Sequence, residues 1–74
     1  MNTGTIQYIN HTPGSGLATV VILTDGGDIE SVHADAGPLF RALDASGARI
    51  GTRISYTVTD WGTLMEGFDI EEAL

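Results

Sequence analysis

Apolar and polar positions alternate along much of this 74-residue chain, and strands account for most of the pattern. Gly4–Asn10 reads as a first strand with Ile6 and Tyr8 on one face. Ile9 breaks the alternation, which predicts a bulge or a strand contacted on both sides. His11–Gly16 holds Pro13, Gly14 and Gly16 and reads as a loop. Leu17–Thr24 is apolar at both parities, as a strand in the interior of a sheet is. Asp25-Gly26-Gly27-Asp28 reads as a hairpin turn, because glycine supplies positive φ. Ile29–Ala34 follows as a third strand.

A helical signal comes next. Asp35 or Gly37 can cap it, and Pro38 suits a first helical residue. Leu39, Phe40 and Leu43 form one apolar stripe, and Gly47 ends a helix of roughly two turns. Arg49–Thr59 alternates most regularly. Ile50, Thr52, Ile54, Tyr56 and Val58 face one way, and Arg49, Gly51, Arg53, Ser55, Thr57 and Thr59 the other. Asp60-Trp61-Gly62 reads as a three-residue hairpin loop. That register pairs Val58 with Leu64, Tyr56 with Glu66, Ile54 with Phe68 and Arg53 with Asp69, so apolar meets apolar and charge meets opposite charge. Glu66 alone falls on the apolar side, where a barrel mouth or a hydrogen bond to Tyr56 would accommodate it. Asp69–Leu74 ends as strand or as a helical turn.

The order β-β-β-α-β-β belongs to the small five-stranded barrel that binds oligonucleotides and oligosaccharides, the OB fold. The expected class is mostly β, one domain over residues 1–74, with an SH3-like barrel as the alternative. Composition agrees: Thr, Val and Ile make up 20 of 74 residues, and these β-branched types favour pleated, half-buried surfaces.

Charge and chemistry narrow the function. Three Arg, no Lys and ten carboxylates give a formal charge of −7, which excludes a polybasic nucleic-acid binder. A salt-adapted proteome, an Arg-preferring genome, imitation of nucleic acid or plain solubility would each produce such a balance. Without cysteine there is no disulfide or thiolate site. No apolar run approaches the roughly 18 residues of a membrane span. The start, Met1–Gly4, leads into a strand pattern, so no secretory signal and a cytoplasmic protein are expected.

Several residues are similar to those of a cold-shock domain. That family opens Gly-Thr-Val-Lys-Trp-Phe-Asn, and here the chain reads Gly4-Thr5-Ile6-Gln7-Tyr8-Ile9-Asn10. Asp25-Gly26-Gly27-Asp28 is similar to its acidic-glycine turn. Ser31-Val32-His33 resembles its Phe-Val-His strand end, and Gly51–Val58 its Gly-x-x-Val-x-Phe strand. The resemblance implies an OB fold and single-strand binding by base stacking on aromatic side chains. The departures are on the stacking and phosphate positions: Gln7 for Lys, Tyr8 for Trp, Ile9 for Phe, Gly16-Leu17-Ala18-Thr19 for Gly-Phe-Gly-Phe, and Ser31 for Phe. Gly51–Phe68 also resembles the tails of small proteins of viral or mobile-element type.

The candidate residues follow. Trp61 at a hairpin tip either folds onto the barrel or anchors a partner, and with Glu66 it marks a partner-binding end. Tyr8, His33 and Arg53 are the nucleic-acid candidates. His11 and His33 have no neighbouring ligands at metal spacing, and His33 pairs most simply with Asp35 on the surface. Asp25, Asp28 and Glu30 gather at a solvated turn, where nothing shifts a carboxylate for catalysis. Gly14-Ser15-Gly16 precedes a strand rather than a helix, which excludes a phosphate loop. Arg41, Arg49 and Arg53 either form a small basic patch or make ion pairs.

The expected function is therefore a non-enzymatic acidic binding module, with no catalytic residue, cofactor or metal. A protein partner is expected, for an accessory or inhibitory role. The alternatives are a weak cold-shock-like binder of single-stranded nucleic acid and an acidic mimic of nucleic acid. A monomer and an edge-strand dimer both remain open.

Overall fold

The computed structural model describes residues 2–60 and 65–74. Five antiparallel strands and one helix follow in the order β1 (Asn2–His11), β2 (Leu17–Thr24), β3 (Ile29–Asp35), α1 (Ala36–Ser46), β4 (Arg53–Asp60) and β5 (Glu66–Ala73). The strands form one sheet in the spatial order β3-β2-β1-β4-β5. Among the described residues no ladder joins β3 to β5, so the sheet is open. Its two edges nevertheless lie close together, and α1 packs against both β3 and β5.

β2 pairs on both sides, as its apolar content predicts, and sends Ala18, Val20 and Ile22 inward. The turn at 25–28 forms as read, with Gly27 at φ 92° and Thr24 N donating to Asp28 O at 2.7 Å. Ile6, Val32, Leu39, Leu43, Ile54 and Tyr56 complete most of the core. β1 crosses tightly between β2 and β4 at Gly4. A Cβ there would lie 2.6 Å from Ile22 Cγ2 and 2.7 Å from the Leu23 carbonyl oxygen.

The bulge expected near Ile9 sits at Gln7. Ile6 opposes Ile22, whereas Tyr8 opposes Val21, so one residue of β1 is extra. The extra residue reverses the alternation. Ile6 and Ile9 therefore face the core, and Tyr8 points outward with 55% exposure. The expectation that Ile6 and Tyr8 share a face is corrected by this shift.

The helix has 11 residues, about three turns rather than two. Asp35 is the cap, its carboxylate accepting from Gly37 N at 3.3 Å, and Pro38 is the third helical residue rather than the first. The ring is accommodated because the first four helical N–H groups have no intrahelical acceptor. Gly47, at φ 72°, closes the helix as expected. Ala36, Leu39 and Leu43 are buried, and Phe40 lies outside that stripe, edge-on to His11 with ring centroids 5.5 Å apart.

Arg49–Thr52 is a tight turn and not the start of a strand. Thr52 N donates to Arg49 O at 2.9 Å, and Gly51 takes φ 92° at the position where a type II turn requires it. Ile50 is accordingly 58% exposed.

The β4–β5 register also differs. Val58 opposes Phe68, Thr57 opposes Asp69, Tyr56 opposes Ile70 and Asp60 opposes Glu66. The expected three-residue loop is too short for this register. Its Trp61, Gly62 and the predicted Leu64 pairing lie outside the described residues. The offset is an even number of residues, so Phe68 and Ile70 still face the core. The chain end continues as strand to Ala73.

Candidate functional site

Two surfaces carry Tyr8, His33, Arg53 and Glu66. The first is the outward face of β3-β2-β1. The bulge turns Tyr8 onto it, in a row with Val21 and Ser31. The next row holds Asn10, Thr19 and His33, and the row on the other side holds Ile29, Leu23, Thr5 and Arg53. Tyr8, His33 and Arg53 thus share one face of the sheet. Leu17, Leu23 and Ile29 add exposed apolar area there.

Two polar groups of this face, His33 and Arg53, are already partnered. His33 Nδ1 lies 2.8 Å from Thr19 Oγ1, so His33 does not pair with Asp35, which caps the helix. Arg53 pairs with Asp25 and not with Asp69, because the turn sets Asp25 beside Thr3, in the row next to that of Arg53; Nε donates at 3.2 Å and Nη2 also contacts the carboxylate. The Arg53 hydrogen bonds, aided by one from Thr3, hold the Asp25 carboxyl at about 2, below the usual carboxylate range. The same carboxylate raises the Arg53 guanidinium.

The second surface is the seam between the free edges of β3 and β5. Glu66, the first residue of β5, reaches across it, and its Oε1 accepts from the backbone N of His33 at 3.4 Å. That amide therefore points away from β2. By the alternation of an antiparallel ladder, so does that of Ser31, whereas Ala36 N turns inward to Gly16 O at 2.8 Å. Beside Glu66 is a cavity of about 310 Å³. Ala34, Pro38, Leu39 and Phe68 give it apolar walls, Asp35, Glu66 and Asp69 give it acidic margins, and no arginine lines it.

Glu66 makes no bond to Tyr56, contrary to one of the two placements expected for it. The buried Tyr56 hydroxyl donates instead to Glu30 Oε1 at 2.5 Å. Burial, and then the Glu30 carboxylate, push that hydroxyl above its ordinary value. This pair was missed by sequence reasoning, although a signal existed. Glu30 shares the inward parity of Val32 and Ala34, and a carboxylate there requires a donor.

An open hollow of about 660 Å³ at the other end carries Asp25, Asp28, Glu30 and Tyr56. Among the described residues no three His, Asp or Glu side chains converge to hold a metal ion. No described helix is long and apolar enough to cross a membrane. No family model matches the chain, and neither a curated protein nor a solved structure is significantly similar to it.

Proposed function

We propose that this chain is a non-enzymatic, acidic binding module on an OB-like barrel frame, and that it docks a protein partner through a basic segment at the Glu66 end. The strand order β3-β2-β1-β4-β5, with a helix between β3 and β4 and the two edges drawn together, supports the OB-like reading. The observation that carries the function is the seam: an apolar cavity margined by Asp35, Glu66 and Asp69, on a chain of charge −7. Such a surface attracts cationic chains and repels polyanions.

A second reading, single-strand binding on the outward face, is favoured by the placement of Tyr8 and His33 on that face. It has less support. Arg53 is neutralised by Asp25, and no lysine is present to meet phosphate.

The test is amide-shift mapping on the isotopically labelled chain at about 0.15 M salt, where long-range attraction is screened beyond about 8 Å. One probe is an alternating Arg-Val peptide, the other mixed-sequence single-stranded DNA and RNA. Saturable shifts at Ala34, Asp35 and Glu66–Asp69 with the peptide alone are expected. Shifts centred on Tyr8, Thr19 and His33 with the oligonucleotides would transfer the function to the second reading.

A further inference from the structure

We infer that the outward face of β3-β2-β1 is a self-association surface, on which a second copy of this chain packs face to face across a two-fold axis along β2. This goes beyond the proposed function, which lies at the Glu66 seam.

An antiparallel strand with one solvated face alternates apolar with polar residues. β2 does not. It sends Ala18, Val20 and Ile22 into the core, and Leu17, Val21 and Leu23 outward. Tyr8 on β1 and Ile29 on β3 flank them, and Ile29 is 63% exposed. The exposed apolar area is thus contiguous rather than scattered, which marks an interaction surface. A strand apolar on both sides suits a sheet that is covered on both.

Charge selects the occupant. The chain has ten carboxylates, and none stands in the three rows that run from Ile29 to Arg53, from Ser31 to Tyr8 and from His33 to Asn10. The cation among them, Arg53, is neutralised by Asp25. A basic partner finds no counter-charge here, and a nucleic-acid strand finds no free cation. Two copies at −7 repel each other least where charge is absent, and this face is such a place.

Symmetry makes the face its own complement. A two-fold along β2 lays the outward residues of β2 on themselves and sets β1 of one protomer over β3 of its partner. Val21 then meets Val21, and Leu23 meets Leu23. Tyr8 meets the partner's Ser31 and Asn10 the partner's His33, each a hydrogen-bonding group opposite another. Stacked sheets align within about 30°, and an axis along β2 keeps the strands so. Three strands by the length of Leu17–Leu23 span about 14 Å by about 23 Å, a footprint of about 320 Å² on each protomer. That is below the roughly 800 Å² of a standard interface, so the dimer is weak and reversible.

The experiment is sedimentation equilibrium of the full chain from about 0.02 to about 1 mM, with amide shifts followed over the same range. The apparent mass is expected to rise toward that of two chains, with shifts at Tyr8, Thr19, Val21 and Ser31. Raising salt from about 0.05 to about 0.5 M should strengthen the dimer at least threefold, because it screens the repulsion between like-charged bodies. Val21 is half-buried and faces outward. Val21→Glu and Val21→Lys should each weaken the dimer at least tenfold, and an equimolar mixture of the two should restore it, because across this axis residue 21 meets itself. The amide spectra report whether each variant is folded, and the wild-type mass and shifts decide the inference even where one is not.

A single-chain mass up to the highest concentration would overturn the inference. So would a dimer that survives in either folded variant, that the mixture of folded variants does not restore, or that weakens with salt. Concentration-dependent shifts confined to Glu66–Asp69 would place the contact at the seam and overturn it as well. The basic-peptide titration at the seam is a separate measurement, so the proposed function stands or falls independently.

Discussion

Replacing Tyr56 by Phe isolates one buried hydrogen bond. The ring stays in the core and keeps its contact with Phe68, whose centroid is 5.8 Å away. Only the hydroxyl, which donates to Glu30 Oε1 at 2.5 Å, is lost. A hydrogen bond to a charged group contributes about 1.5–3 kcal/mol. Glu30 is half-buried and borders the open hollow, so water replaces part of what it loses. The expected net destabilisation is thus about 1–2 kcal/mol, at and below the lower end of that range. At about 4–8 °C per kcal/mol for a domain of this size, Tm should fall by roughly 4–16 °C. The pH dependence supplies an independent sign. The Tyr56 hydroxyl ionises less readily in the fold than in the unfolded chain. Its contribution is complete below the ordinary tyrosine value of about 10 and declines as pH rises beyond it, by up to about 1.4 kcal/mol per pH unit. Thermal melts of both proteins between about pH 8 and about pH 11.5 test this. The wild type should lose Tm above about pH 10, and the Phe variant should lose markedly less. A Phe variant that melts within about 2 °C of wild type, with the same alkaline decline, would refute the claim that this bond is made and buried.

Three further outcomes are expected. Gly4→Ala should destabilise the fold by about 1–3 kcal/mol or more, seen by denaturant titration, because its Cβ would collide with the Leu23 carbonyl as well as with Ile22. Arg53→Ala should move the Asp25 carboxyl titration up from about 2 toward 3.8, followed by carboxyl-carbon shifts. In the wild type the contribution of that pair is present above the ordinary carboxylate range and fades as pH falls through about 2. Ser55→Ala should leave stability unchanged or raise it by up to about 1 kcal/mol in calorimetry, since Ser55 Oγ is buried without a hydrogen-bond partner among the described residues.

The elements were legible in the sequence wherever local chemistry decided them. Gly27 and Gly47 fixed a turn and a helix end through positive φ, and β2 announced its interior place by being apolar on both sides. What was not legible depends on partners distant in sequence. Arg53 has equal reason to pair with Asp69 or Asp25, and only the crossing of β1 between β2 and β4 brings Asp25 near. Ile50 continues an alternating pattern perfectly, yet the bond from Gly51 N to Ile6 O pulls its segment into a turn. The expected hairpin register follows from a three-residue loop at Asp60-Trp61-Gly62, and side-chain complementarity does not discriminate against the observed one, because a shift of even parity satisfies the apolar face equally well. Of the candidate site, Glu66 was legible as a polar residue out of place. Its role across the seam was not, because the proximity of β3 and β5 is a property of the sheet's curvature.

That curvature has a local source at Gln7. Its side chain is exposed and reaches only the nearby Thr5 carbonyl, at 3.3 Å. With Gln7 deleted, Ile6, Tyr8 and Ile9 would still alternate inward, outward and inward, in an unbroken ladder with β2. The residue therefore serves no sidedness of its own; what it adds is length on one strand, and with it the bend that a bulge imposes. Such a position is indifferent to spelling and strict about punctuation. Almost any substitution there should be silent, whereas a one-residue deletion should keep the core composition intact and still draw β3 away from β5, opening the seam.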